Sequence, residues 1–112
     1  RELTSLAWLN HENYRGLERV YLKKEQLLEQ IKRNPGHIIA SSACIGGIFG
    51  DKILSLRQEG DITNLKQELV DEILWYKDIF GDDLYLEVQP SYQEDQLFVN
   101  MILKNVSKTV KV

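Results

Sequence analysis

The chain has 112 residues, of which 43% are hydrophobic and 28% charged, with a formal net charge of −3. That length admits one domain at most, and the composition supports a modest core and excludes wholesale disorder. Acids and bases are interleaved, which excludes the strong basic field that would argue for nucleic-acid or anionic-membrane binding from charge alone. A single cysteine, Cys44, excludes an internal disulfide framework and suits a reducing, cytoplasmic compartment. No run approaches the ~20 apolar residues needed to span a bilayer, so no membrane partner is expected. A start at Arg1-Glu2-Leu3 shows no signal-peptide pattern and reads as a chain cut from something longer.

In chain order, residues 3–9 are apolar apart from Thr4 and Ser5 and predict a short buried strand. Asn10 can then cap a helix bearing Tyr14, Leu17, Val20 and Tyr21 on one face. Leu27, Leu28 and Ile31 stand at helical spacing, and Asn34-Pro35-Gly36 ends that helix because the residue before proline avoids the α region. Residues 37–40 follow as a strand. The small-residue loop from Ser41 to Gly47 precedes a helix that starts at Ile48 and is ended by Gly60.

The longest helix is expected after a cap at Asp61 or Thr63, with Ile62, Leu65, Leu69, Ile73, Tyr76 and Phe80 as its apolar face and Gly81 past its end. Leu84, Leu86 and Val88 alternate with Tyr85, Glu87 and Gln89, which predicts a strand broken by Pro90. Ser91 and Glu94 have the spacing of a capping box, ahead of a helix carrying Phe98, Met101, Ile102 and Val106. Residues 109–112 read as a further strand. About four short strands alternating with helices, without Asn-Gly hairpin turns, predict an α/β fold with parallel βα units. Four strands cannot close a barrel, so the expectation is a small open layer or a sector of a larger barrel.

Three stretches taken in order resemble one known family. Glu2-Leu3-Thr4-Ser5-Leu6-Ala7 followed by Asn13-Tyr14-Arg15-Gly16-Leu17 is similar to its first strand and "GYRNL" helix. The run from Gly36 to Gly47, which includes Ser41-Ser42-Ala43-Cys44, is similar to "GLIALSACLGG", and the run from Trp75 to Gln89 to "WYKEIFGDDFYLELQ". The family is the PHP (polymerase and histidinol phosphatase) domain of bacterial or phage DNA polymerase III α subunits, and the likeness covers nearly the whole chain.

The resemblance implies a partial PHP domain over residues 1–112, a sector of a (β/α)7 barrel with a metal cluster at the C-terminal ends of its strands. That cluster draws on an early His-x-His, scattered His, Asp and Glu residues, the cysteine of "SACLGG" and a late Asp-x-His. Cys44 alone carries over, so the resemblance implies a metal role for it in the intact protein only. Zinc, manganese or magnesium would serve that intact domain and magnesium the parent polymerase, with no cofactor in the fragment. A departure falls at Glu2, or at Leu3 if the alignment shifts by one residue, where the family often has a metal-binding His. The partners implied are DNA through the parent, other polymerase domains and replisome subunits. In relatives the domain is a metal-dependent 3′–5′ exonuclease or a structural support.

Each candidate residue also has a plainer reading. Cys44 suits zinc as a thiolate, yet free cysteine is often just a small buried hydrophobe. Glu87 and Gln89, near the C-terminal end of a strand, can support a metal ligand through a hydrogen bond, or can face solvent. His11 and His37 form no ligand pattern and read as surface or capping residues. Gly46-Gly47 lacks any phosphate-loop signature and reads as a tight turn that uses positive φ. A non-catalytic scaffold and a free-standing phosphoesterase of the histidinol-phosphatase kind are the rival functions. The fragment is expected to be inactive alone and to self-associate through an open strand edge or an exposed apolar face.

Overall fold

The computed structural model describes Leu3, Ser5, Leu6 and residues 22–60 and 62–112. The chain divides into two compact units, Arg1–Ile38 and Ile39–Val112. In the first, Leu3, Ser5 and Leu6 are helical, which overturns the strand expected over 3–9 at those positions. An apolar run that short cannot be told from a buried helical segment by its pattern. The helix expected after Asn10, and His11 with it, lie outside the described residues.

Helix α1, Lys24–Arg33, ends the first unit. The Lys23 amide donates to Gln26 Oε1 (3.0 Å), which satisfies one of the free donors at the helix start. Arg33 pairs with Glu29 one turn back, and Asn34 returns its amide to the carbonyls of Gln30 and Ile31. Of the expected face, Ile31 is buried while Leu27 and Leu28 are half-buried.

The second unit runs β1 (Ala40–Ser41), α2 (Ile48–Glu59), α3 (Ile62–Phe80), a 3-10 turn (Gly81–Asp83), β2 (Leu84–Tyr85) and α4 (Glu94–Val110). The two strands pair in parallel, Ala40 opposite Leu84 and Ser41 opposite Tyr85, with α2 and α3 forming the crossover. From residue 22 on, two short strands and four α-helices among the described residues replace the four-strand barrel sector expected from the sequence. The strand expected over 109–112 is the end of α4 instead, because Leu103, Val106 and Val110 share one buried helical stripe. The strand expected over 37–40 begins only at Ala40, with Ile38 and Ile39 exposed. Beyond Tyr85 the chain belongs to no strand until α4 begins.

Helical periodicity builds the core. Phe49, Ile53 and Leu56 of α2 face Leu69, Ile73 and Tyr76 of α3, while Val99, Leu103, Val106 and Val110 of α4 and Leu84 of β2 complete the buried set. Ile62 and Leu65 lie outside the residues whose side chains are described, and Phe80 is half-buried. Phe49 and Tyr76 meet edge-to-face with ring centroids 5.5 Å apart. Burial, and then the nearby Glu72 carboxylate, push the Tyr76 hydroxyl above the usual tyrosine range. The face expected of α4 is partly wrong: Met101 is exposed, and Gln96, Val99 and Leu103 turn inward.

Helix ends follow local chemistry. Gly60 closes α2 at φ 73°, a left-handed conformation that costs glycine nothing. Gly81, at φ 58°, follows α3 as expected but opens the 3-10 turn. The capping box expected at Ser91 is not formed. Ser91 Oγ accepts the Gln93 amide (3.1 Å), α4 starts at Glu94, and Glu94 with Asp95 binds Arg57 at the end of α2. Arg57 also lies 4.4 Å over the Phe98 ring, which ties the two helices together. At its other end, α4 presents the carbonyls of Val110 and Lys111 to Lys77 Nζ of α3. Among the described residues no helix is long and apolar enough to cross a membrane.

Candidate functional site

The C-terminal ends of parallel strands leave loops and backbone groups open to a ligand, and here both strand ends emerge on the same side. Past the ladder, two unlike bonds still join the two segments. The Ser42 amide donates to the Tyr85 carbonyl (2.9 Å), and the Glu87 amide then donates to Ser42 Oγ (2.7 Å) rather than to a carbonyl. Ser42 is buried, so its hydroxyl acts as a fixed internal acceptor.

Glu87 stands at the surface with both carboxylate oxygens engaged. Gln89 Nε2 donates to Oε1 (2.8 Å) and Ser41 Oγ to Oε2 (2.7 Å). Hydrogen bonds from Gln89 and then Ser41 hold the Glu87 carboxyl below the usual glutamate range, because they favour its charged form. Gln89 is fixed in turn: its amide donates to Asn100 Oδ1 (3.2 Å), its carbonyl accepts from Asn100 Nδ2 (2.7 Å), and the buried Gln96 holds Asn100 from one turn back on α4.

Cys44 lies three residues past Ser41, the last paired residue of β1, in the loop that enters α2, and it is exposed. Ser41 Oγ accepts the Ala43 amide (3.1 Å), so one hydroxyl joins Glu87 to the residue before Cys44. Ala43 itself takes φ 57°, and the Gly47 amide closes the turn onto the Cys44 carbonyl (2.9 Å). The positive φ expected at Gly46-Gly47 therefore falls on Ala43. What Gly47 supplies is space: a Cβ there would sit 2.6 Å from the Ser42 carbonyl oxygen.

The structure thus brings Glu87 and Gln89 into direct contact and links them through Ser41 to the backbone beside Cys44. Among the described residues no hydrogen bond joins the Cys44 thiol to either of them. His37 is exposed in the turn after α1. No three His, Cys, Asp or Glu side chains among the described residues come together as a set that could hold a metal ion. Zinc takes about three or four protein ligands, so these residues do not by themselves fit a metal site. Sequence reasoning missed Ser41, Ser42 and Asn100 as the positioning groups. The signal available for Asn100 was its place one helical turn after Gln96, which becomes informative only once Asn100 is known to meet Gln89.

No protein-family model and no solved structure matches the chain. Among curated proteins it is 34% identical over 96% of its length to "Probable DNA polymerase YorL" of Bacillus subtilis and equally so to "DNA-directed DNA polymerase" of Bacillus phage SPbeta, covering 9% of each. It is also 34% identical over 99% of its length to "DNA polymerase III subunit alpha" of Borreliella burgdorferi, covering 8% of that protein. The chain is therefore similar, over nearly all its own length and under a tenth of theirs, to a segment of bacterial and phage DNA polymerases.

Proposed function

We propose that the chain is part of the PHP domain of a DNA polymerase of the DNA polymerase III α kind, and that its own contribution is to order one ligand-facing edge of that domain. The observation that carries this reading is the similarity along 96% of the chain to a segment of named DNA polymerases. The likeness of residues 36–47 and 75–89 to the family's own stretches supports the finer assignment. Those stretches supply the two strand ends that Ser41, Ser42, Glu87 and Gln89 knit together. In the intact protein Cys44 supplies one thiolate to a metal site whose other ligands come from elsewhere, and Glu87 and Gln89 keep the neighbouring backbone in place. DNA is the substrate of the parent through its polymerase domains, with other replisome subunits as partners.

The test uses the intact polypeptide that carries this segment. Purified, it should add deoxynucleotides to a primed template with Mg²⁺, and Cys44→Ser should leave extension unchanged while lowering bound zinc or manganese in elemental analysis. Failure to extend a primer overturns the polymerase reading. Unchanged metal content in the variant overturns the ligand role of Cys44.

A further inference from the structure

The charges interleave along most of the chain, yet residues 96–112 contain no Asp or Glu and three lysines, Lys104, Lys108 and Lys111. On α4 and its cap these positions follow at intervals of four and three, so they form one stripe about 10 Å long on the face turned away from the buried Val99, Leu103, Val106 and Val110. All three lysines are exposed, and no carboxylate among the described residues lies within salt-bridge distance of any of them. The acids that open α4, Glu94 and Asp95, are bound to Arg57 and stand about 15 Å from Lys104 along the helix axis.

Lysines near a helix C-terminus also complement its dipole. That task is already met here by Lys77, whose ammonium donates to the carbonyls of Val110, the last helical residue, and Lys111, the cap. A second feature adjoins the stripe. Lys104 and Ser107 share a groove of about 210 Å³ with Tyr85, Leu86, Val88 and Leu103, and in it Tyr85 is 55% exposed. A line of unpaired ammonium groups beside an exposed aromatic ring in an apolar trough matches the chemistry of a single-stranded nucleic acid, with its charged backbone and flat bases.

We propose that the α4 stripe and the Tyr85 groove form a binding surface for single-stranded DNA, with Lys104, Lys108 and Lys111 on phosphates and Tyr85 stacking on a base. The choice of DNA over RNA rests on the polymerase reading; the surface itself does not. The test is fluorescence anisotropy of a labelled oligothymidylate with the 112-residue chain, at salt from about 50 mM to about 200 mM. Three phosphate contacts predict a slope of log affinity against log salt near about −2, with dissociation constants of roughly micromolar to a hundred micromolar. Replacing all three lysines by Gln should cost about tenfold or more in affinity at the lowest salt. Tyr85→Leu should cost about fivefold or more. Lys108→Gln alone, which leaves the groove untouched, should flatten the slope by somewhat under one unit.

The inference is overturned if the native chain does not bind, if the triple variant binds as well, or if a duplex of the same length binds as tightly as the single strand. A polyuridylate of equal length that binds better would overturn the assignment to DNA. Should the intact protein extend a primer while the chain shows none of this binding, the surface assignment fails and the polymerase reading stands.

Discussion

Gly50 lies buried in the first turn of α2, where a β-carbon would sit 2.5 Å from the Ile45 carbonyl oxygen, 2.6 Å from its Cα and 2.7 Å from its carbonyl carbon. All three are backbone atoms, so no side-chain rotation can relieve the contact. Gly50→Ala gains about 1 kcal/mol of helix propensity. Against that, forcing a methyl group into a filled space costs about 1–3 kcal/mol and more where only backbone can yield. The expected balance is destabilisation by about 1–2 kcal/mol, since the Ile45 contacts are closer than any unstrained packing. With a urea dependence of about 1–2 kcal/mol per molar, the unfolding midpoint should fall by roughly 1 M. Urea titration followed by circular dichroism measures it. Gly46→Ala is the internal control: its β-carbon would meet only Cys44 Sγ, at 3.8 Å, so the midpoint should move by less than about 0.5 kcal/mol equivalent. A midpoint for Gly50→Ala equal to or above the native value would refute the view that the Cys44 loop is held by close backbone approach.

Two further outcomes concern the strand ends. Ser42→Ala removes the buried acceptor of the Glu87 amide and should cost about 1–3 kcal/mol in the same titration; a cost under half that would mean water replaces the hydroxyl freely. Ser41→Ala removes one of the two donors that depress the Glu87 carboxyl, so its titration, read from the side-chain carbonyl carbon by NMR, should move up toward the ordinary glutamate value of 4.5. The sign for stability follows: a depressed folded value stabilises above the unfolded pKa and is lost as pH falls through the lower folded one. The native chain should therefore lose this contribution only on the acid side of the glutamate range, and the variant should have less to lose. A titration that does not move would show that Gln89 alone sets it.

The helices were legible where punctuation is chemical. Asn34-Pro35-Gly36, Gly60 and Gly81 mark the ends of α1, α2 and α3 because the residue before proline avoids the helix and glycine accepts the left-handed turn. The strands were over-read because alternation at Leu84, Leu86 and Val88 is compatible with a strand, whereas a ladder needs a partner backbone and finds one for two residues only. Residues 109–112 misled in the same way: Val110 and Val112 alternate with Thr109 and Lys111, but Val110 belongs to a stripe that began at Gln96. Glu87 and Gln89 could be nominated from their place near a strand end. Their contact, and its extension through Ser41 toward Cys44, depends on two segments 46 residues apart in sequence and could not be read from either.

The parallel pair of β1 and β2 also bears on how the second unit assembles. Ala40 and Leu84 are 84 − 40 = 44 positions apart, so bringing them together costs about 3 kcal/mol of chain entropy, before any constant for closing the ring. Two paired residues with a few hydrogen bonds of about 1 kcal/mol each scarcely offset that. On that balance the ladder is not expected to serve as a nucleus for this unit. The expected order is that the α2–α3 pair, adjacent in sequence and burying Phe49, Ile53, Leu69, Ile73 and Tyr76, shortens the effective loop first. Folding kinetics of core variants in α2 and α3 would check it by slowing folding more than variants at Ala40 or Leu84 do. The geometry that positions Glu87 beside Ser41 is therefore underwritten by helix packing some distance from it, and core substitutions in α2 or α3 would loosen that edge without touching it.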